Sequence, residues 1–180
     1  MPKTKKKGTG VITVPVGQVE FSQRKWFKPD EPGFLLTPEV ITWINKSKLD
    51  KENEYELVVG TDSHRHNQVF RFVTVIALVK LGKGGMYYYA LSYEPSAQFK
   101  GNNKGRMFHE VAVSVETAQA VLDATGLAPI IDIDASPSGA GQFTSPFSDQ
   151  LAGYAVASGF EARKKPLSPI SSCVADRHSK

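Results

Sequence analysis

The sequence predicts an α/β fold, a mixed sheet packed against helices, and three observations carry that expectation. Three runs rich in β-branched and aromatic residues, at 55–62, 68–81 and 86–93, follow one another over short connections, the pattern of an antiparallel meander. Beyond them, apolar strand-like segments at 129–134 and 160–164 alternate with helical ones at 106–125 and 146–158, which calls for right-handed helical crossovers. A chain of 180 residues is long enough for one well-buried domain and short for two.

Taken in order, residues 1 to about 10 read as a disordered basic tail, and Val11-Ile12-Thr13-Val14-Pro15-Val16 as an edge strand or extended arm, because its proline cannot sit in a central strand. Trp26 to Gly33 reads as a loop whose aromatics cover core surface, so residues 1–33 are expected to form a tail and arm ahead of a domain over 34–180. Thr37-Pro38-Glu39 opens a short helix, with threonine as the capping residue and proline at the first helical position. Val40, Ile41, Trp43 and Ile44 give that helix an apolar side. The first sheet strand, Tyr55 to Asp62, puts Val58, Gly60 and Asp62 on one face and Leu57, Val59 and Thr61 on the other. In the second, Arg71, Val73, Val75, Ala77 and Val79 alternate with Phe70, Phe72, Thr74, Ile76 and Leu78, and Gly82-Lys83-Gly84-Gly85 turns into the third. The long helix stops at Gly126, with Met107, Val111, Val115, Ala118 and Leu122 as its buried stripe. Residues 136–142 read as a flexible loop, and Ser168-Pro169 starts a final helix.

Composition narrows the function classes. Apolar residues make up 41% and charged residues 22%, and no run approaches the ~18 apolar residues of a membrane span. No apolar core follows the N-terminal lysines, so a secretory signal is not expected. The single Cys173 fits a reducing, cytoplasmic setting and excludes a cysteine zinc site. The net charge of +4 resides in Lys3, Lys5, Lys6 and Lys7, and without them the two signs balance. That arm can grip phosphates or serve as a solubilising tail.

The informative residues are acids that end up on apolar surfaces. Asp62 closes a strand face made of Val58 and Gly60, where an acid needs a hydrogen-bond cage, a basic partner or a metal, unless it only begins a turn over Asp62 to Arg65. On the long helix, Glu110 lies ~100° from the centre of the buried stripe and Glu116 ~140°, which leaves Glu110 the acid best able to lean toward the sheet; a solvated first-turn glutamate is the alternative. Asp132 and Asp134 share one face of an apolar strand and repel unless protonated or bridged by a cation. The other reading has Asp134 starting a turn and Asp132 meeting an arginine. Asp176, near the C-terminus, is read as either a ligand or a solvated acid. Together such carboxylates suit two divalent cations ~4 Å apart in phosphodiester hydrolysis, and oxygen-only donors favour Mg²⁺ or Mn²⁺ over zinc.

Gly60-Thr61-Asp62-Ser63, the hairpin Gly82-Lys83-Gly84-Gly85-Met86-Tyr87-Tyr88-Tyr89, Arg106-Met107-Phe108-His109-Glu110, Asp134-Ala135-Ser136-Pro137, Gly159-Phe160, Lys165-Pro166 and Ala175-Asp176-Arg177 resemble, in order, the motifs of the YkuK-type family of predicted ribonuclease H-like nucleases. The likeness covers roughly residues 34 to 180. It implies a ribonuclease H-like mixed five-stranded sheet in the order 3-2-1-4-5 with helices on both faces, and acids on the first strand, first long helix, fourth strand and last helix. Carried over, these are Asp62, Glu110, Asp134 and Asp176. His64 stands where the pattern leads one to expect glutamine, and Asp132 is an additional acid. Of the strand-four pair, Asp134 is preferred because it lies at the carboxyl end of its strand, and Asp132 stays a candidate ligand.

The implied function is a divalent-metal-dependent nuclease acting on RNA, DNA or a hybrid, with a two-ion Mg²⁺ or Mn²⁺ site and with Ser63, His64, Arg106 and Lys165 contacting substrate. His178, beside the last acid, is the histidine best placed to position water; His64, His66 and His109 also adjoin proposed acids, though none has zincin spacing. Arg163, Lys164 and Lys165 can meet phosphate or form a solvated edge, and Tyr87, Tyr88 and Tyr89 can stack on bases, though at least one must point into the core. Two other functions stay open: a non-catalytic nucleic-acid-binding or interaction module with the same fold, and a hydrolase of small phosphoesters.

Overall fold

The computed structural model describes residues 20–50, 52–80, 83–136 and 145–180. The basic tail, the segment at 11–16 and most of the loop at 136–142 lie outside the described residues.

A meander of β3 (Tyr55–His66), β4 (Val69–Lys80) and β5 (Gly84–Pro95) pairs antiparallel throughout. Two short strands, β6 (Ile130–Ile133) and β7 (Ala162–Lys164), add in parallel to the far side of β3. The resulting order, β5-β4-β3-β6-β7, is the expected 3-2-1-4-5 arrangement of the sheet strands. A small antiparallel pair, β1 (Lys25–Trp26) and β2 (Leu35–Leu36), sits beside β5, which Phe27 bridges at Tyr89.

The sheet's two faces differ in what covers them. Leu57, Val59, Ile76 and Leu78 face the main core, formed with α1 (Thr37–Ser47), α2 (Asn103–Thr125) and α3 (Ser148–Ala157). On the other side, Val58, Val73, Val75 and Ala77 pack against the C-terminal helix, a π-helical stretch Ile170–Ala175 that continues as α4 (Asp176–Ser179). Gly60 makes that packing close, because a β-carbon there would stand 3.0 Å from the Ser171 backbone nitrogen.

Four local expectations are revised. The first sheet strand does not stop at Asp62: it runs on to His66, paired residue for residue with β4, and the chain turns at Asn67, whose φ of 54° suits asparagine. Asp62 is therefore a mid-strand residue and no Asp62–Arg65 turn forms. Thr37 does not cap α1, since its hydroxyl accepts the Trp26 indole N–H at 2.9 Å and donates to the Phe21 carbonyl. Glu39 accepts the Leu36 N–H at the helix start instead, at 2.7 Å. The stretch read as a loop from Trp26 includes β1, with Trp26 fully buried in the core. The stripe of α2 is also rotated: Glu110, Ser114, Thr117 and Val121 are buried, whereas Val115 and Leu122 are only half-buried. The reason is that β3 offers α2 hydroxyls as well as methyls, with Ser114 donating to Thr61 at 2.8 Å and Thr61 to Thr74 at 3.2 Å.

Candidate functional site

β3 is the element from which the site is built. Its alternation turns Ser63 toward α2 and Asp62 toward the C-terminal helix, so the two neighbours engage opposite layers. The Ser63 hydroxyl donates to Glu110 Oε1 at 2.7 Å, and Arg106, one helical turn before Glu110, donates to Ser63 Oγ at 2.7 Å and pairs with the same Glu110 oxygen. On the other face, the Ser179 hydroxyl donates to Asp62 Oδ2 at 2.8 Å.

Asp134 reaches the cluster through the parallel pairing of β3 and β6. Gly60 stands opposite Asp132 in the last pair of that ladder, and Asp134 follows just past the end of β6, close enough for its charge to raise Asp62. Glu110, Asp132 and Asp134 all line a cavity of about 10 Å³, room for roughly one water. Asp176 lies where the π-helical stretch passes into α4.

The electrostatics bind these acids into one group. Burial pushes the Asp62 carboxyl up to about 6; Asp134 and Asp176 add to the rise, while the Ser179 hydroxyl and the Ser63 backbone oppose it. Glu110, 7% exposed, is pushed up to about 8 by burial, with Arg106 and Ser63 opposing and Asp62 and Asp134 adding. Each shift has the same meaning: taking a carboxylate out of water beside other carboxylates penalises its charged form.

Cations within the chain answer part of that charge. Lys165 Nζ lies 2.6 Å from Asp134 Oδ1, an oxygen that has this cation beside it but no aligned hydrogen-bond donor. Lys180 Nζ lies 2.7 Å from Asp176 Oδ2. The donor chemistry fits Mg²⁺ or Mn²⁺, because all four side chains offer hard carboxylate oxygens and a cation would favour the charged forms that burial penalises at Asp62 and Glu110. Among the described residues, no three or more acid, histidine or cysteine side chains are already drawn together as a metal-holding group.

Asp132 shares the cavity with Glu110 and Asp134 but differs in its hydrogen bonds and in the charges that act on it. Its Oδ2 accepts the Ile170 backbone N–H at 2.9 Å, which caps the first turn of the C-terminal helix, and its Oδ1 is buried without a hydrogen-bond partner. Burial pushes it up to about 6 as well, but the charges acting on it are Arg163 and Glu56 rather than the other candidate acids. The expected arginine neighbour is thus present, although Arg163 makes its hydrogen bonds, both 2.8 Å, to Glu56.

The histidines are engaged elsewhere. His178 stacks on Tyr89 with ring centroids 3.9 Å apart and lies 3.0 Å through Nε2 from the Tyr87 hydroxyl, a seat against β5. His109 packs on Phe72 and Phe99, and exposed His64 makes an edge contact with His66. His66 meets the Ser179 carbonyl at 2.7 Å, where Arg71 also donates at 2.8 and 3.0 Å. This clamp was missed from the sequence: Ser179, Arg71 and His66 fix the end of the helix whose hydroxyl holds Asp62. Arg71 was the available signal, a lone cation on the Val73-Val75-Ala77 face of its strand.

A meander extended by parallel strands, with helices on both faces of the sheet, defines a recognisable class of α/β domain. The family model described as Ribonuclease H-like matches residues 39–180, and the chain belongs to that family. No curated protein and no solved structure matches it. Among the described residues no helix is long and apolar enough to cross a membrane.

Proposed function

We propose that the protein is a divalent-metal-dependent nuclease that hydrolyses phosphodiester bonds in RNA or DNA in the cytoplasm, using Asp62, Glu110, Asp134 and Asp176 to hold Mg²⁺ or Mn²⁺. The observation that carries this reading is the placement of Asp62 and Glu110, each pushed up chiefly by burial, within electrostatic reach of other acids, Asp134 adding to both and Asp176 to Asp62. When bound, two such ions supply Lewis-acid stabilisation to an in-line displacement at phosphorus.

The chain's own residues orient the acids. Ser179 fixes Asp62, and the Ser63–Arg106 pair fixes Glu110. Lys165, beside Asp134, is placed to meet a substrate phosphate as that acid turns to a cation, and His64, exposed on the same strand as Asp62, is the nearer of the proposed substrate contacts to solvent. His178, seated on Tyr89, supports the C-terminal helix in this reading rather than handling a proton.

Labelled RNA, DNA and hybrid duplexes incubated with Mg²⁺ or Mn²⁺ test the proposal. Cleavage that disappears with chelator and in Asp62→Asn is expected, and activity unchanged in that variant refutes the assignment. A second reading, a nucleic-acid-binding module without turnover, draws support from the cations already paired with Glu110, Asp134 and Asp176. Binding that survives chelator without any cleavage favours it.

A further inference from the structure

We propose that a groove at the opposite end of the sheet from the acids binds a mononucleotide, its phosphate among Lys46, Lys80 and Lys83 and its base against Trp43. This inference goes beyond the nuclease reading and does not rest on it. The groove, about 450 Å³, lies between the last turn of α1, the start of β3 and the β4–β5 end of the meander. Tyr55 at its edge is seven residues along β3 from Asp62, about 23 Å at the usual strand rise. The volume falls in the range of small-ligand sites and is too small for a duplex.

The charge pattern selects an anion. Lys46 and Lys80 make no ion pair among the described residues, and Lys83 has only the Asn53 amide oxygen at 3.1 Å. Among the described residues the single acid of the lining, Asp50, is turned into its own loop, accepting from the Tyr55 hydroxyl at 2.7 Å, Asn53 at 2.8 Å and the Glu52 N–H at 3.1 Å. These bonds hold its carboxyl below the usual range, so it stays a satisfied acceptor. The basic residues of β7 are the opposite case, with Arg163 on Glu56 and Lys164 on Asp149. Cations neutralised in an ion pair have little left for a ligand, whereas the groove's lysines make none among the described residues, Lys80 lying 5.8 Å from the Tyr55 ring centroid and acting on Asp50 only at a distance. α1 does point its partly negative C-terminal end here, and Lys46 and Lys48, which donates to the Thr125 carbonyl, offset that end.

The walls select a flat ring attached to the anion. Trp43, Leu78 and the exposed Met86 supply apolar surface, and the Trp43 indole is held at a fixed tilt by an edge contact with Tyr88 at 4.8 Å. Lysine ammonium groups act as point charges for phosphate, and an indole offers a stacking partner for any base.

Calorimetry and tryptophan fluorescence on the full chain with chelator present test this with adenosine monophosphate, adenosine and inorganic phosphate. Trp26 is fully buried, so a fluorescence change reports Trp43. Expected is quenching and binding by the monophosphate, with adenosine and phosphate each about tenfold weaker or worse. The double variant Lys46→Ala/Lys80→Ala is expected to lose about tenfold or more, the usual worth of a charge-assisted contact, whereas Asp62→Asn binds as the unaltered chain does. Absence of binding overturns the proposal. So do phosphate binding as tight as the nucleotide's, binding unaffected by the double variant, and binding lost in Asp62→Asn. None of these results bears on cleavage, which is read separately.

Discussion

Asp62 and Asp132 stand on neighbouring strands, are both buried, and are both pushed to about 6, yet one helix treats them in contrasting ways. At its start the C-terminal helix gives Asp132 a backbone N–H, an interaction that ties the helix to β6. At its end the same helix gives Asp62 only a serine hydroxyl and leaves it facing other acids. A similar shift therefore does not mean similar surroundings. The charges acting on them distinguish the two: Arg163 and Glu56 for Asp132, Asp134 and Asp176 for Asp62.

The largest effect that sharpens this contrast is on cleavage. Asp62→Asn is expected to lose more than the roughly 10–100-fold that removal of an outer partner of a metal ligand costs, while Asp132→Asn, whose amide oxygen still accepts the Ile170 N–H, stays within about tenfold. Equal losses in the two variants would erase the distinction.

Stability against pH comes next. A carboxyl whose folded pKa is raised contributes most below its unfolded value, and that contribution is lost as pH rises through the folded value. For Asp62 and Asp132 the window runs from 3.8 to about 6, and for Glu110 from 4.5 to about 8. Burial holds His109 and His178 below the imidazole range, which works the other way under about 6.5, so the clean comparison is with isosteric amides. Relative to Glu110→Gln, the metal-free protein is expected to lose melting temperature between pH 6 and 8. Manganese is expected to abolish the pH-dependent difference contributed by Asp62 and Glu110 and to leave that of Asp132 intact. Thermal melts of the variants with and without Mn²⁺ check both statements.

Asp132→Ala is expected to cost about 1–2 kcal/mol of unfolding free energy in a denaturant titration, the worth of a lost helix-end acceptor. The smallest effect belongs to Lys165→Met. Removing a partly exposed ion-pair partner worth at most about 1 kcal/mol should tighten Mn²⁺ binding by about twofold to fivefold in calorimetry, and weaker binding would show that Lys165 assists the cation site instead of competing for it.

Much of this was legible from residue order. Alternation in 55–62 put Asp62 on the face of Val58 and Gly60, and that face is where the last helix lies, because parity along a strand survives any error in its ends. The strand order followed from the family resemblance, and the meander and crossovers themselves could be read from spacing. The Asp62 turn was misread because Asp and Ser are turn-forming residues, a local preference that the ladder with β4 overrides. Two-residue strands such as β1 have no period to detect. The rotation of α2 depended on hydroxyls of β3, a tertiary match invisible to a hydrophobic stripe, and it is what brings Glu110 inside. The contacts of Asp132 and His178 were hidden for the same reason: Ile170 is 38 residues from the first, and Tyr87 is 91 from the second.

The most direct measurement is anomalous diffraction from manganese-soaked crystals. The account predicts density beside Asp62 and Asp134, within reach of Glu110 or Asp176, with Lys165 displaced from Asp134. Density at Asp132 with none beside Asp62, or an acid cluster that stays empty at millimolar manganese, would contradict it.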